Sequence, residues 1–257
     1  MSSSIWTLAE LSSNARPAAG RCWRAVEAQH HVSTAKITDS AKEQHRLEQL
    51  IEESKSKIPL ECGHLHYLLS TLSTPFRYGA PYPQGSRFRR PGFTPGVFYS
   101  SETPATAIAE LAFWRLLFFA DSPDTPWPTN AGEYTAFAVE YFARAIDLTV
   151  APLDRDRALW THPTDYAACQ QLADGVRAQG IDIIRYQSAR DPRRGLNLAI
   201  LSCRAFARSE EVDRQTWRIH LSASGCRAFC EMPKFALDFD RSAFSGDPRI
   251  AAIRWDR

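Results

Sequence analysis

The sequence predicts an α+β fold, and three observations carry that prediction. Short segments rich in apolar, aromatic or β-branched residues, at 96–100, 133–141, 181–186, 196–201, 217–221 and 235–239, read as strands. They mix irregularly with helical stretches at 103–119 and 164–179, which is not a regular βαβ repeat. Residues 1–60 are rich in Ala, Glu, Gln and Lys and predict a helical N-terminal region ahead of a main domain at 61–257.

In chain order, residues 17–30 predict a helix with Ala19, Trp23 and Val26 on one face. Residues 40–57 predict another: Ser40 and Glu43 form a capping box, Leu47, Leu50 and Ile51 form the apolar stripe, and Pro59 ends it. The segment 75–96, rich in Pro, Gly and Arg, reads as loop. After the strand at 96–100, Thr103 and Pro104 open a helix that runs to Phe119, because a proline at the first helical position gives up an N–H that has no partner there. Prolines make 122–132 a loop, and 145–148 predicts a short strand separate from 133–141. Gly180 closes the helix at 164–179. The strands at 181–186 and 196–201 then flank a polar loop.

Composition narrows the function. The chain carries 31 basic and 29 acidic residues, a balance that argues against nucleic-acid binding driven by overall charge. The most apolar stretch, 105–120, contains Glu110 and Arg115 and is too short and too charged to span a bilayer. The N-terminus lacks the basic start and apolar run of a secretory signal, so a cytoplasmic protein is expected. The cysteines at 22, 62, 169, 203, 226 and 230 form no C-x-x-C pair and predict reduced, buried thiols rather than disulfides.

Four features can carry chemistry. Glu110 is a carboxylate in an otherwise apolar helix, explained either by a salt bridge or exposed face, or by a working role. Arg115, five residues on, is off its face and a poor partner. Arg77, followed by Tyr78 and Gly79, and Arg87 in a Gly-containing loop suit phosphate, since a guanidinium binds oxyanions in a fork; a solvated basic loop is the plainer alternative. Tyr99 ends a strand, where it can stack on a planar ring or simply pack against the sheet. Ser188 lies in the polar loop between two apolar strands, a usual place for ligand contacts and equally for an ordinary turn. His64 and His66 point the same way on an extended segment, but no third ligand stands out, so no metal is expected. G-x-S-x-G, G-x-x-x-x-G-K-[ST] and G-x-G-x-x-G motifs are absent.

The order of these features resembles the RES domain, a family named for its Arg, Glu and Ser. The matching stretches are Phe76-Arg77-Tyr78, Gly85-Ser86-Arg87-Phe88, the block from Gly96 through Tyr99 to Glu110, and Ser188 to Asn197. They cover roughly residues 62 to 205. Shorter family members carry Gly-Gly-Arg-Trp where this chain has Gly85-Ser86-Arg87-Phe88.

The resemblance implies an ADP-ribosyltransferase-like twisted β-sheet core with flanking helices. It also implies a toxin of a toxin–antitoxin pair that cleaves the nicotinamide–ribose bond of NAD, by phosphorolysis or hydrolysis. A mono-ADP-ribosyltransferase acting on a protein, or a non-catalytic interaction protein with a decayed pocket, are the alternatives. The implied partners are an antitoxin, typically DNA-binding, that occludes the site, and an inorganic phosphate or protein acceptor. NAD is then the substrate. Arg77 and Arg87 are expected to hold its phosphates, with Tyr78 and Gly79 lining the pocket. Glu110 would stabilise the ribosyl cation, Tyr99 would stack on nicotinamide or ribose, and Ser188 would bond the ligand or Glu110.

Overall fold

A computed structural model describes residues 6–28, 37–54, 60–63, 65, 75–80 and 83–256. The elements that organise it are α1 (Leu8–Asn14), β1 (Arg16–Glu27), α2 (Ala41–Ser54), β2 (Phe98–Ser101), α3 (Pro104–Asp121) and β3 (Gly132–Asp147). They continue with α4 (Arg157–Trp160), α5 (Ala167–Ala178), β4 (Ile183–Gln187), β5 (Leu196–Ile200), β6 (Asp213–Ser222), β7 (Gly225–Cys230), β8 (Phe235–Asp240) and α6 (Pro248–Ala251). His64, His66 and Pro59 lie outside the described residues.

The long strand β3 organises the sheet. Along one edge it pairs antiparallel with all of β1. On its other edge, residues 132–138 pair with β6 and residues 145–147 run parallel to β4. From β4 the ladder passes to β5 and β2, and Trp23 of β1 meets Ser101 of β2, closing a barrel-like ring. β6, β7 and β8 extend from β3 as an antiparallel meander.

Strand alternation distributes the core among three clusters. Inside the ring lie Cys22, Phe98, Phe137, Val139, Ile183, Leu198 and Ile200. On the outer face of β4 and β5, Ile184, Tyr186 and Ala199 pack with Phe88, Trp160 and α5. On the meander, α3 packs Ile108, Phe113 and Leu116 against Trp217, Cys226, Phe239 and Ile250. Thr103 caps α3 by accepting from the Thr106 N–H, with Pro104 in the first turn, as the sequence predicts.

Several expectations are corrected. Residues 16–27 are strand, not helix: pairing with β3 at twelve successive positions overrides a composition poor in β-branched residues, and the N-terminal region is therefore only partly helical. The separate strand expected at 145–148 is the end of β3, which runs unbroken through it. β7 was not expected, because its inward positions are the small residues Cys226, Ala228 and Cys230. The thiols are not all reduced. Cys62 and Cys203 are joined, their Cα atoms 5.2 Å apart, because two 3₁₀ turns 141 residues distant in sequence pack together at the ring. Cys22, Cys169, Cys226 and Cys230 are free and buried. Among the described residues, no helix is long and apolar enough to cross a membrane.

Candidate active site

The site is built on the outer face of the ring, at one end of β2, β5 and β4. Register places Tyr99 beside Ala199, and Asn197 between Ser101 and Tyr186. Ser188 follows β4 in the same alternation, so Ser101, Asn197 and Ser188 all face α3, where Glu110 sits two turns from the cap.

Three side chains hold Glu110. Ser188 Oγ and Asn197 Nδ2 each donate to its Oε1 at 2.7 Å, and Arg190 Nη1 donates to Oε2 at 3.0 Å. Each donor is fixed in turn. The Asn197 amide is oriented by Ser101 Oγ, which donates to its Oδ1 at 2.7 Å. Ser188 Oγ accepts from the N–H groups of Arg190 and Asp191, closing the loop beneath it. Arg190 lies 4.7 Å from the Phe113 ring and 4.5 Å from the Trp114 ring, and its Nη2 donates to the Tyr166 hydroxyl at 2.9 Å. Burial alone would push the Glu110 carboxyl up; the Arg190 charge and the hydrogen bonds from Ser188, Arg190 and Asn197 outweigh it and hold Glu110 below the ordinary carboxylate value. The Glu110 side chain as a whole is 19% exposed.

Arg87 approaches the same cluster from the other side of Tyr166, its Cζ 5.0 Å from that ring. It is only 4% exposed; Nη1 donates to the Trp160 carbonyl at 2.7 Å, while Nη2 is buried with no partner among the described residues. Its loop is held tightly. Gln170 of α5 donates to the carbonyls of Gln84, Ser86 and Arg89. The Tyr99 hydroxyl accepts from the Phe88 N–H at 2.9 Å and bonds Ser86 Oγ at 2.8 Å. Gly85 turns the loop at φ 64°, where an added Cβ would collide with the Arg89 carbonyl. Buried Tyr186 lies in the field of Glu110, Tyr99, Arg87 and Arg190; burial foremost raises its hydroxyl well above the ordinary value, so it stays protonated.

A family model described as the RES domain matches residues 58–222. The chain belongs to the RES-domain family. The crystal structure of the M. tuberculosis MbcT–MbcA toxin–antitoxin complex is similar at 10% identity and a TM-score of 0.46, over 80% of this chain and 89% of that one. No curated protein matches the sequence.

Of the residues singled out from sequence, the RES fold brings Glu110 and Ser188 into contact and puts Arg87 on the ring of Tyr166, whose hydroxyl bonds Arg190 of the same cluster. Tyr99 acts through the Arg87 loop, its hydroxyl committed to Ser86 and Phe88. Arg77 sits half-buried in a helical turn, with Tyr78 and Gly79 alongside the 89–94 segment: Arg89 donates to the Tyr78 carbonyl, and Ala80 bridges Gly92. They are not among the partners of Glu110. Sequence reasoning missed Arg190, Asn197, Tyr166 and Tyr186 as site residues. Asn197 alone had a signal, as the end of the quoted Ser-to-Asn motif; Arg190 looks no different in sequence from Arg193 and Arg194.

Proposed function

We propose that this protein cleaves the nicotinamide–ribose bond of NAD, as the toxin of a toxin–antitoxin pair whose antitoxin covers the Glu110 cleft. The observation that supports this most is an ionised carboxylate oriented by three donors, with an arginine that has an unsatisfied buried Nη2 on the Tyr166 ring that the cluster also engages. That orphan costs about 1–3 kcal/mol, which a pyrophosphate oxygen would offset.

The chemistry follows from the charges. Breaking the bond develops positive charge on the ribose, and nicotinamide leaves neutral, so an anion is needed and a general acid is not. Oε1 already accepts two hydrogen bonds, while Oε2 accepts one from Arg190. A ribose hydroxyl therefore takes the second lone pair of Oε2, which aligns the carboxylate with the developing cation. Arg87 holds the pyrophosphate, Tyr99 keeps the Arg87 loop in place, and Ser188 and Asn197 fix the carboxylate plane. The acceptor is phosphate or water.

The test is nicotinamide release from NAD by the purified protein, with and without inorganic phosphate, with mass spectrometry of the products. Glu110→Gln should lower release by about 10²–10³-fold and still give a cooperative melt. A folded Glu110→Gln with wild-type release overturns the assignment. If the wild type releases nothing, the weight moves to transfer onto a protein, which labelled ADP-ribose on a protein target would reveal.

A further inference from the structure

Arg249 lies on α6, outside the segment matched by the RES family. It is clamped by Asp247, Nε to Oδ1 at 2.9 Å and Nη2 to Oδ2 at 2.7 Å, and the Asp247 side chain is only 6% exposed. Its Cζ stands 5.7 Å from the Phe113 ring, the ring that Arg190 approaches at 4.7 Å. The two guanidinium groups also meet at Tyr166: Arg190 Nη2 donates to its hydroxyl at 2.9 Å and Arg249 hydrogen-bonds the same side chain. Around Tyr166 and Phe113, Arg190 and Arg249 are each paired with one carboxylate, Glu110 and Asp247. The Arg249 side chain is 32% exposed, which leaves the pair open to solvent on that side.

We infer that Arg190 and Arg249, aligned by Tyr166 and Phe113, form a second anion site that takes the acceptor oxyanion, inorganic phosphate. The inference rests on the NAD-cleaving reading above. Position separates the two anion sites. An anion on Arg190 lies next to Glu110, and so next to the ribose carbon that reacts; Arg87 lies beyond the Tyr166 ring and is left for the pyrophosphate. Tyr166 donates to the Pro163 carbonyl and accepts from Arg190 and Arg249, so it positions both arginines and leaves the anion to the two guanidiniums. In the reaction, an oxygen of hydrogen phosphate bonds to the ribose carbon as its bond to the pyridinium nitrogen breaks. The electron pair of that bond stays on the nitrogen, nicotinamide departs neutral, and the phosphate proton passes to solvent from the ADP-ribose phosphate product.

Two measurements on the full chain test this: calorimetric titration with inorganic phosphate alone, and initial rates of nicotinamide release against phosphate and against NAD. The wild type should bind one phosphate. Arg249→Gln should raise the KM for phosphate at least about tenfold, weaken the calorimetric binding to match, and change the KM for NAD by less than about twofold. Arg87→Gln should do the reverse. The pair Asp247→Asn with Arg249→Gln avoids stranding a buried carboxylate and should behave as Arg249→Gln does. Arg227→Gln removes an exposed cation on β7 and serves as the control for charge. NAD cleavage with phosphate binding indifferent to Arg249 overturns this inference alone. Arg249-dependent phosphate binding by a protein that releases no nicotinamide overturns the acceptor role together with the NAD reading.

Discussion

Glu110 was legible because a carboxylate inside an apolar helix conflicts with its surroundings. Of its partners, Ser188 was expected from the resemblance, but its cation was not, since which of Arg190, Arg193 and Arg194 reaches it depends on a loop path that no spacing encodes. Its charge sets a pH dependence. The folded pKa lies below the ordinary value, so the stabilisation is complete above the unfolded carboxylate pKa and is lost as pH falls through the folded one. Nicotinamide release should therefore show no ascending limb attributable to Glu110 between about pH 5 and 8. A limb in that window that disappears in Glu110→Gln would contradict an anionic resting state. Gly195 makes a second prediction at this scale. A Cβ there would lie 2.1 Å from Thr106 Oγ1 and 2.6 Å from Asp191 Oδ2, so the Ser188 loop cannot keep its seat against α3. Gly195→Ala should destabilise by about 1–3 kcal/mol and lower release at least about tenfold; unchanged kcat and melting temperature would show that the loop is not held there.

At the scale of elements, what could be read depended on whether the signal was local. The cap of α3, the Pro–Gly–Arg loop and the strands flanking the Ser188 loop carry their own punctuation. β1 does not. Its first half, Arg-Pro-Ala-Ala-Gly-Arg, has no β-branched residue, and pairing along its whole length with β3, more than a hundred positions away, makes it a strand. α1 does carry a local signal, the capping box of Thr7 with Glu10, and it presents Leu11 to the cluster on α5. Deleting residues 1–28 would bare the whole β3 edge and remove Cys22, Trp23 and Leu11 from three different clusters. The truncated chain should lose its cooperative thermal transition. A melt near that of the full chain would show that β1 is an accessory to the sheet.

For the whole molecule, the family boundary and the folding boundary differ. The RES match ends at Ser222, at the end of β6. Yet the helix that carries Glu110 buries its apolar face against residues beyond that point, among them Leu237, Phe239, Phe244, Ile250 and Ile253. Burial of each large side chain is worth about 1.5–3 kcal/mol, and a domain of this kind has only about 5–15 kcal/mol to lose. Five such residues reach that range, and their loss would also leave the outer edge of β6 unpaired. A chain ending at residue 222 should therefore fail to fold, measured as loss of the near-ultraviolet dichroism of Trp217 and Trp127 and as aggregation on purification. Were it to fold and still release nicotinamide, the meander would be a late addition with no hold on Glu110, and a role for Arg249 would have to be abandoned with it. Were it to fail while Arg249→Gln folds normally and loses only its affinity for phosphate, the C-terminal segment would have two separable tasks, apolar side chains for α3 and Arg249 for the site.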